Sequence, residues 1–212
     1  MKNNDYHNLL LKSLPESYRV WFDAEKQYLE KHIKTGSSVL EIGSGDGRSI
    51  YDLLPLTKNI TAVDHDKEAV IRAQQSFADF SSIKIIETDA VNLPFNNESF
   101  DYVICMGTFM NLGEKKYHIL NEMKRVLKND GKIIVSTFSD KALSERLNMY
   151  KKVGAPIKEI RGGTVIFNES LGSNISEQFS LHELTDIFTQ AGFVVQDVSE
   201  VSIAYLCTLS KK

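Results

Sequence analysis

Basic residues are not in excess: Lys and Arg total 25 against 28 Asp and Glu, a formal net charge of -3 over 212 residues. A general nucleic-acid binder carries a basic face to neutralise phosphates. The densest basic group, Lys124, Arg125 and Lys128, reads instead as a solvated helix face. No apolar run approaches the roughly 20 residues that cross a bilayer. Met1 to Tyr6 is polar and lacks a signal-peptide core. The expected setting is therefore cytoplasmic, with no membrane partner. Only two cysteines are present, Cys105 and Cys207, far apart and in apolar strand-like segments, so the expectation is buried, reduced thiols. His7, His32, His65, His118 and His182 show no metal-ligand spacing, and no metal is expected. With four prolines and 42% hydrophobic residues the chain is globular, and its length suits one domain.

What is present is alternation. The first 35 residues read as helical, with an amphipathic stretch from Tyr18 to His32 that Gly36 ends. Strands are expected at Val39 to Ile42, Asn59 to Val63, Ile83 to Glu87, Phe100 to Met106 and Lys132 to Phe138. Helices are expected between them at Arg48 to Leu54, Lys67 to Phe77 and Glu114 to Leu127. Short links between such elements call for a parallel sheet with helices on both faces. After Asp140 the pattern changes. Lys141 to Val153 reads as a helix. Thr164 to Asn168 and Asn174 to Phe179 read as a hairpin around Leu171, Gly172 and Ser173. A helix from Leu181 to Ala191, capped by Ser180 and ended by Gly192, leads to strands at Phe193 to Val198 and Val201 to Leu209. The last two strands are expected to pair antiparallel.

The most informative stretch is Val39-Leu40-Glu41-Ile42-Gly43-Ser44-Gly45-Asp46-Gly47. A strand runs into a glycine turn at the amino end of a helix, where the crevice of an open parallel sheet takes its ligand. Gly47 is assigned mainly to helix packing. Glu41, just before the turn, is placed to reach backbone amides or, through water, a ligand ammonium. Asp64 ends the second strand, where a carboxylate accepts two hydrogen bonds from a ribose diol. Asp89 ends the third, with Ala90 after it, placed to accept from an adenine amine. Asp64 or Asp66 also has the position to cap the following helix. Three successive strand ends thus supply a site for an adenosine-bearing ligand.

At this point the pattern resembles the seven-stranded, class I S-adenosylmethionine-dependent methyltransferases. The matching pieces are VLEIGSGDG at 39–47, AVDHD at 62–66, ETDAVNLPFNNESFDYVIC at 87–105 and MKRVLKNDGKIIVSTFS at 123–139. The resemblance implies a Rossmann-like three-layer α/β/α sandwich, its mostly parallel sheet ordered 3-2-1-4-5-7-6 with strand 7 antiparallel. The cofactor would be S-adenosyl-L-methionine and the product S-adenosyl-L-homocysteine. Glu41, Gly43, Ser44 and Gly45 would hold the methionine part and Asp64 the ribose hydroxyls. His65 would pack on the adenine face, and Asp89 with the Ala90 amide would take the adenine amine. Met106, Gly107 and Thr108 would line the sulfonium and the acceptor entrance. A nicotinamide enzyme would show Gly-x-Gly-x-x-Gly, whereas here the third glycine comes one position early.

The expected organisation is a single methyltransferase domain over 1–212. Residues 1–35 would form a helical lid, with Tyr6, Tyr18, Trp21 and Phe22 as its aromatics; the alternative for Trp21 and Phe22 is packing in the core or against the helix. Residues 140–180 would cap the active face. No residue declares itself as a catalytic base; His118 and His182 are the imidazoles considered, while Asn111 is placed to orient an acceptor through its amide and Tyr150 to reach the cleft from the cap helix. Cys105-Met106-Gly107-Thr108-Phe109 follows no Asn/Asp-Pro-Pro-Tyr/Phe pattern of adenine and glutamine amino-group enzymes, and Cys105 does not follow a proline as a cytosine-methylating nucleophile often does. An enclosed pocket lined by Phe109, Met110 and the 140–180 segment suits a small molecule methylated on nitrogen or oxygen. The alternatives are a tRNA or protein methyltransferase, or a cofactor-binding module without transfer activity.

Overall fold

In the computed structural model, residues 14–168 and 174–212 are described. α1 (Glu16–His32) opens this part of the chain. Then follow β1 (Val39–Ile42), α2 (Arg48–Leu53), β2 (Ile60–Asp64), α3 (Lys67–Ser76), β3 (Ile83–Glu87) and β4 (Phe100–Met106). α4 (Lys116–Val126) leads into β5 (Leu127–Phe138), and α5 (Leu143–Lys152) into β6 (Ile157–Arg161), β7 (Thr164–Phe167) and β8 (Ile175–Ser176). α6 (Leu181–Gln190), β9 (Phe193–Val201) and β10 (Ala204–Lys211) complete it.

Seven strands form one sheet in the order β3-β2-β1-β4-β5-β10-β9. β1 to β5 pair in parallel, and β10 runs antiparallel to both β5 and β9. This is the 3-2-1-4-5-7-6 order expected from the sequence, in a Rossmann-like α/β/α sandwich. Every residue of β1 and of β2 is buried. That is why these strands read as continuous apolar runs rather than alternating ones: helices cover both faces of the sheet. α6 starts with the reciprocal Ser180–Glu183 capping box, an arrangement that contributes about 1 kcal/mol. Both cysteines are buried and free. Among the described residues no helix is long and apolar enough to cross a membrane.

Several local expectations need correction. The helix expected from Glu114 begins at Lys116, after two short 3-10 turns at Phe109–Asn111 and Gly113–Lys115; Gly113 takes φ +53 between them. β5 starts at Leu127, five residues before the expected Lys132, and its register against β4 shifts between Phe100 and Tyr102. The hairpin strand expected over Asn174 to Phe179 is only Ile175–Ser176, and Phe179 instead bridges Ser139. β6 was not expected at all: it is largely exposed, with little apolar alternation to mark it, and it pairs only with β7. Lys124, Arg125 and Lys128 are not a solvated helix face. Lys128 lies on β5 and pairs with Asp101, Arg125 holds Glu122 and the Phe95 and Leu93 carbonyls, and Lys124 reaches the Ala191 carbonyl. The turn residues Leu171, Gly172 and Ser173, together with Tyr6 and His7, lie outside the described residues.

Candidate cofactor and acceptor site

Beyond β1 the chain turns through Gly43, Gly45 and Gly47, whose φ values of +71, +51 and +86 fall in the left-handed region that glycine alone enters at little cost. The three glycines are needed for different reasons. A Cβ on Gly43 would stand 2.2 Å from Thr108 Cγ2, so the tip of β4 demands glycine there. Thr108 also donates its hydroxyl to the Gly43 carbonyl at 2.8 Å. A Cβ on Gly47 would meet the Phe77 ring at 2.5 Å, in keeping with the packing role expected for it. A Cβ on Gly45 would meet no atom within 4 Å, and Gly45 lines a cavity. It is the glycine that leaves room for a ligand beside the backbone.

Asp64 braces this turn. Its Oδ2 accepts the Gly45 N–H at 2.7 Å and its Oδ1 accepts the Asp66 N–H at 2.9 Å. The helix-capping role falls to Asp66, which accepts the N–H groups of Glu68 and Ala69. His65 Nδ1 is 3.5 Å from Asp64 Oδ1 with the ring largely in solvent. At the end of β3, burial of Asp89 works against its charge, but Lys115 Nζ at 2.9 Å and the Val91 N–H outweigh it and hold the carboxyl below the usual aspartate range.

A cavity of about 780 Å³ runs across these strand tips, lined by Gly43, Gly45, Asp64, His65, Asp89 and Ala90 among others. Six of the nine residues expected at the cofactor therefore meet on one wall. The other three do not. Glu41 is wholly buried behind the turn and accepts from the Ser49 hydroxyl, and its Oε2 has no hydrogen-bond partner. Burial pushes its carboxyl up to about 7, with the Ser49 hydrogen bond and Arg48 only partly offsetting it. Ser44 is buried with its hydroxyl unpartnered. Met106 lines a different cavity.

That second cavity, of about 320 Å³, adjoins the first: Asn111 and Ile175 line both. Its wall is aromatic. Tyr18, Trp21 and Phe22 come from α1, Phe138 from the end of β5, Tyr150 from α5 and Phe167 from β7. The rings of Trp21 and Phe138 lie 5.0 Å apart, and those of Tyr150 and Phe167 5.1 Å apart, edge to face. Trp21 Nε1 donates to Ser136 Oγ at 2.7 Å, so Trp21 is both core and cavity wall. Met110 is on the wall, but Phe109 is not. It packs in the core between Phe179 and Phe188.

Among the described residues Arg48 is the charged one on this wall, and the sequence reading missed it. Its guanidinium lies 4.0 Å over the Phe22 ring and pairs with Glu25 at 2.5 Å. Glu25 looked like one of the solvent charges of an amphipathic helix, yet it is fully buried. The pairing joins residues far apart in the chain, and no local pattern announces it. The two imidazoles considered as bases line neither cavity: His118 is exposed on α4, and His182 points to solvent beside Asp186 at 3.5 Å.

A cavity bearing Asp64 and Asp89 over the ends of β1 to β3, joined to an aromatic one, on a sheet whose last inserted strand is antiparallel, defines the class of nucleotide-cofactor α/β proteins with the methyltransferase sheet order. Residues 40–135 match the family model described as a methyltransferase domain. Over that stretch, and in its sheet order, the chain is similar to the class I S-adenosylmethionine-dependent methyltransferases. An uncharacterised protein of Methanocaldococcus jannaschii is 35% identical over 127 residues, 57% of either chain. A demethylmenaquinone methyltransferase of Bacillus licheniformis is 28% identical over 63% of this chain and 56% of its own length. The chain thus spans little more than half the length of these two curated relatives. The Burkholderia thailandensis 1,6-didemethyltoxoflavin-N1-methyltransferase, solved with its substrate and S-adenosylhomocysteine, superposes with a TM-score of 0.69 at 17% identity, over 98% of this chain and 87% of its own.

Proposed function

We propose that the protein is an S-adenosylmethionine-dependent methyltransferase that methylates a nitrogen or oxygen of a small molecule. The observation that carries this reading is the meeting of the two cavities at Asn111 and Ile175, one bearing the carboxylates of Asp64 and Asp89 and one walled by aromatic rings. The cofactor supplies an electrophilic sulfonium methyl. The chain's own work is to hold the acceptor in line with it and to exclude water.

In this reading Gly43 and Gly45 border the methionine part. Asp64 uses its remaining lone pairs for the ribose hydroxyls, since each of its oxygens already accepts one backbone N–H. His65 covers the adenine face, and Asp89 with the Ala90 N–H meets its edge. Glu41 and Ser44 support the turn from behind, and Met106 faces the reacting centre from the acceptor side. Residues 1–35 act as a lid through Tyr18, Trp21 and Phe22. Residues 140–180 act as a cap through Tyr150, Phe167 and Ser176, so that 1–212 is one catalytic domain. This enclosure favours a small acceptor over a tRNA or a protein. The names of two similar proteins, acting on demethylmenaquinone and on 1,6-didemethyltoxoflavin, support it too. Two buried free thiols suit a cytoplasmic location.

Calorimetric titration with S-adenosylmethionine tests the cofactor half. Asp64→Ala removes charge-assisted hydrogen bonds and is expected to weaken binding about tenfold to a hundredfold. Unchanged affinity in the folded variant would refute the site.

A further inference from the structure

The smaller cavity presents hydrogen-bond donors and, among the described residues on its wall, no carboxylate and no imidazole. We infer that the acceptor is a planar aromatic or heteroaromatic hydroxyl compound of one or two rings, bound as its oxygen anion against Arg48. This rests on the methyl-transfer reading above and names the acceptor class for that site.

Size and shape come first. About 320 Å³ lies at the small end of ligand pockets, enough for one or two fused rings. The six aromatic side chains of the wall offer ring faces and edges, which favour a flat π-system through stacked and edge-to-face contacts.

Polarity comes second. Arg48 carries five N–H donors. Glu25 takes one at 2.5 Å, and Asp52 stands at 3.9 Å, beyond hydrogen-bond reach. Donors therefore remain on a residue that lines the cavity. Burial, only partly countered by Arg146, raises the Tyr18 phenol far above its ordinary range, so Tyr18 stays protonated and serves as a donor, not a base. Tyr150 donates its hydroxyl to Ser176 Oγ at 2.8 Å. Carboxylates do stand nearby, but Glu25 and Glu41 are wholly buried and neither lines the cavity. Among the described residues of the wall, a neutral hydroxyl finds no proton acceptor of useful basicity. An aromatic hydroxyl, far more acidic than an aliphatic one, needs none: the fraction ionised in bulk water can enter, and the guanidinium favours that form and draws the ionisation to lower pH.

The transfer then balances without a base. The proton has already gone to solvent. The acceptor oxygen's lone pair forms the new C–O bond as the methyl–sulfur bond breaks. That bond's electron pair stays on sulfur, so the acceptor's negative charge and the sulfonium's positive charge cancel, leaving a neutral ether and a neutral thioether.

The test uses the full chain saturated with S-adenosylhomocysteine. The probes are 7-hydroxycoumarin, a flat bicyclic phenol whose anion absorbs at longer wavelength than its neutral form, and 7-methoxycoumarin, which cannot ionise. The hydroxy probe is expected to bind as its anion, about tenfold more tightly than the methoxy probe, with its ionisation moved to lower pH. Arg48→Gln is expected to abolish this preference. Glu25→Gln removes the competing carboxylate and is expected to enlarge it, a change of sign that a merely structural role would not produce. Because Arg48→Gln strands a buried Glu25, the double variant Glu25→Gln/Arg48→Gln stands in if the single variant does not fold, with the same expected loss. Equal binding of the two coumarins, no binding of either at millimolar concentration, or an anion preference unmoved by these substitutions overturns the inference. Calorimetry with S-adenosylhomocysteine keeps the two readings apart. If the homocysteine compound fails to bind, the methyltransferase reading falls; if it binds while the coumarins are not discriminated, only the acceptor class falls.

Discussion

The two cavities are made in opposite ways. One wall of the larger one is built from the ends of three neighbouring strands, each contributing residues that follow one another in the chain: Gly43 and Gly45 after β1, Asp64 and His65 at β2, Asp89 and Ala90 after β3; the segment after β4 and the start of β8 close it from the other side. The smaller one is assembled from α1, the start of α2, the ends of β4 and β5, α5, β7 and β8. The first bears carboxylates and is braced by backbone hydrogen bonds. The second is aromatic and held by ring packing around one buried ion pair. A parallel sheet obliges adjacent strand tips to converge, so the first kind of site comes with the fold. The second depends on which segments are laid over the sheet afterwards.

The sharpest way to break this contrast is Gly43→Val. Left-handed backbone and contact with Thr108 together are expected to cost about 2–4 kcal/mol of stability. Binding of S-adenosylmethionine should be lost through the displaced turn, as followed by thermal denaturation and calorimetry. A stable variant with ordinary affinity would mean that the close approach at the tip of β4 does not shape the larger cavity.

A smaller effect should come from Glu41, which is fully buried and lines neither cavity. Its folded carboxyl is raised from 4.5 to about 7. The proton is therefore held more tightly in the folded chain than in the unfolded one. The resulting stability is present in full below the unfolded value and is lost as pH rises through about 7. Urea midpoints should fall between about pH 5 and pH 7 for this reason, and Glu41→Gln should flatten that part of the profile. An identical slope in the variant would assign the pH dependence to other groups.

The smallest expected effect is at His182. Its side chain is 86% exposed and lies on neither cavity wall. His182→Ala should leave methyl transfer to the identified acceptor, read as S-adenosylhomocysteine release, within about a factor of two, since surface changes away from a site are worth about 0.5 kcal/mol or less. A hundredfold loss would move the acceptor site towards the start of α6.

The sheet and the larger cavity were legible in the sequence because their signals are local. Continuous apolar strands, a glycine turn and an acid at each strand end are all read within a few residues, and the parallel sheet then has to bring them together. Even there, the side-chain directions of Glu41, Ser44 and Met106 needed the folded chain, since a strand residue faces one side of the sheet or the other according to register. Several residues of the smaller cavity were anticipated, Tyr18, Trp21, Phe22, Met106 and Met110 among them, but tertiary structure decided how they meet. The burial of Glu25 against Arg48, the turning of Trp21 towards Ser136, the withdrawal of Phe109 into the core and the existence of β6 all rest on contacts between distant segments. Amphipathic periodicity marks which face of α1 is buried, but burial of a charge on that helix depends on the partner that reaches it, and that partner is set by packing rather than by neighbours in sequence.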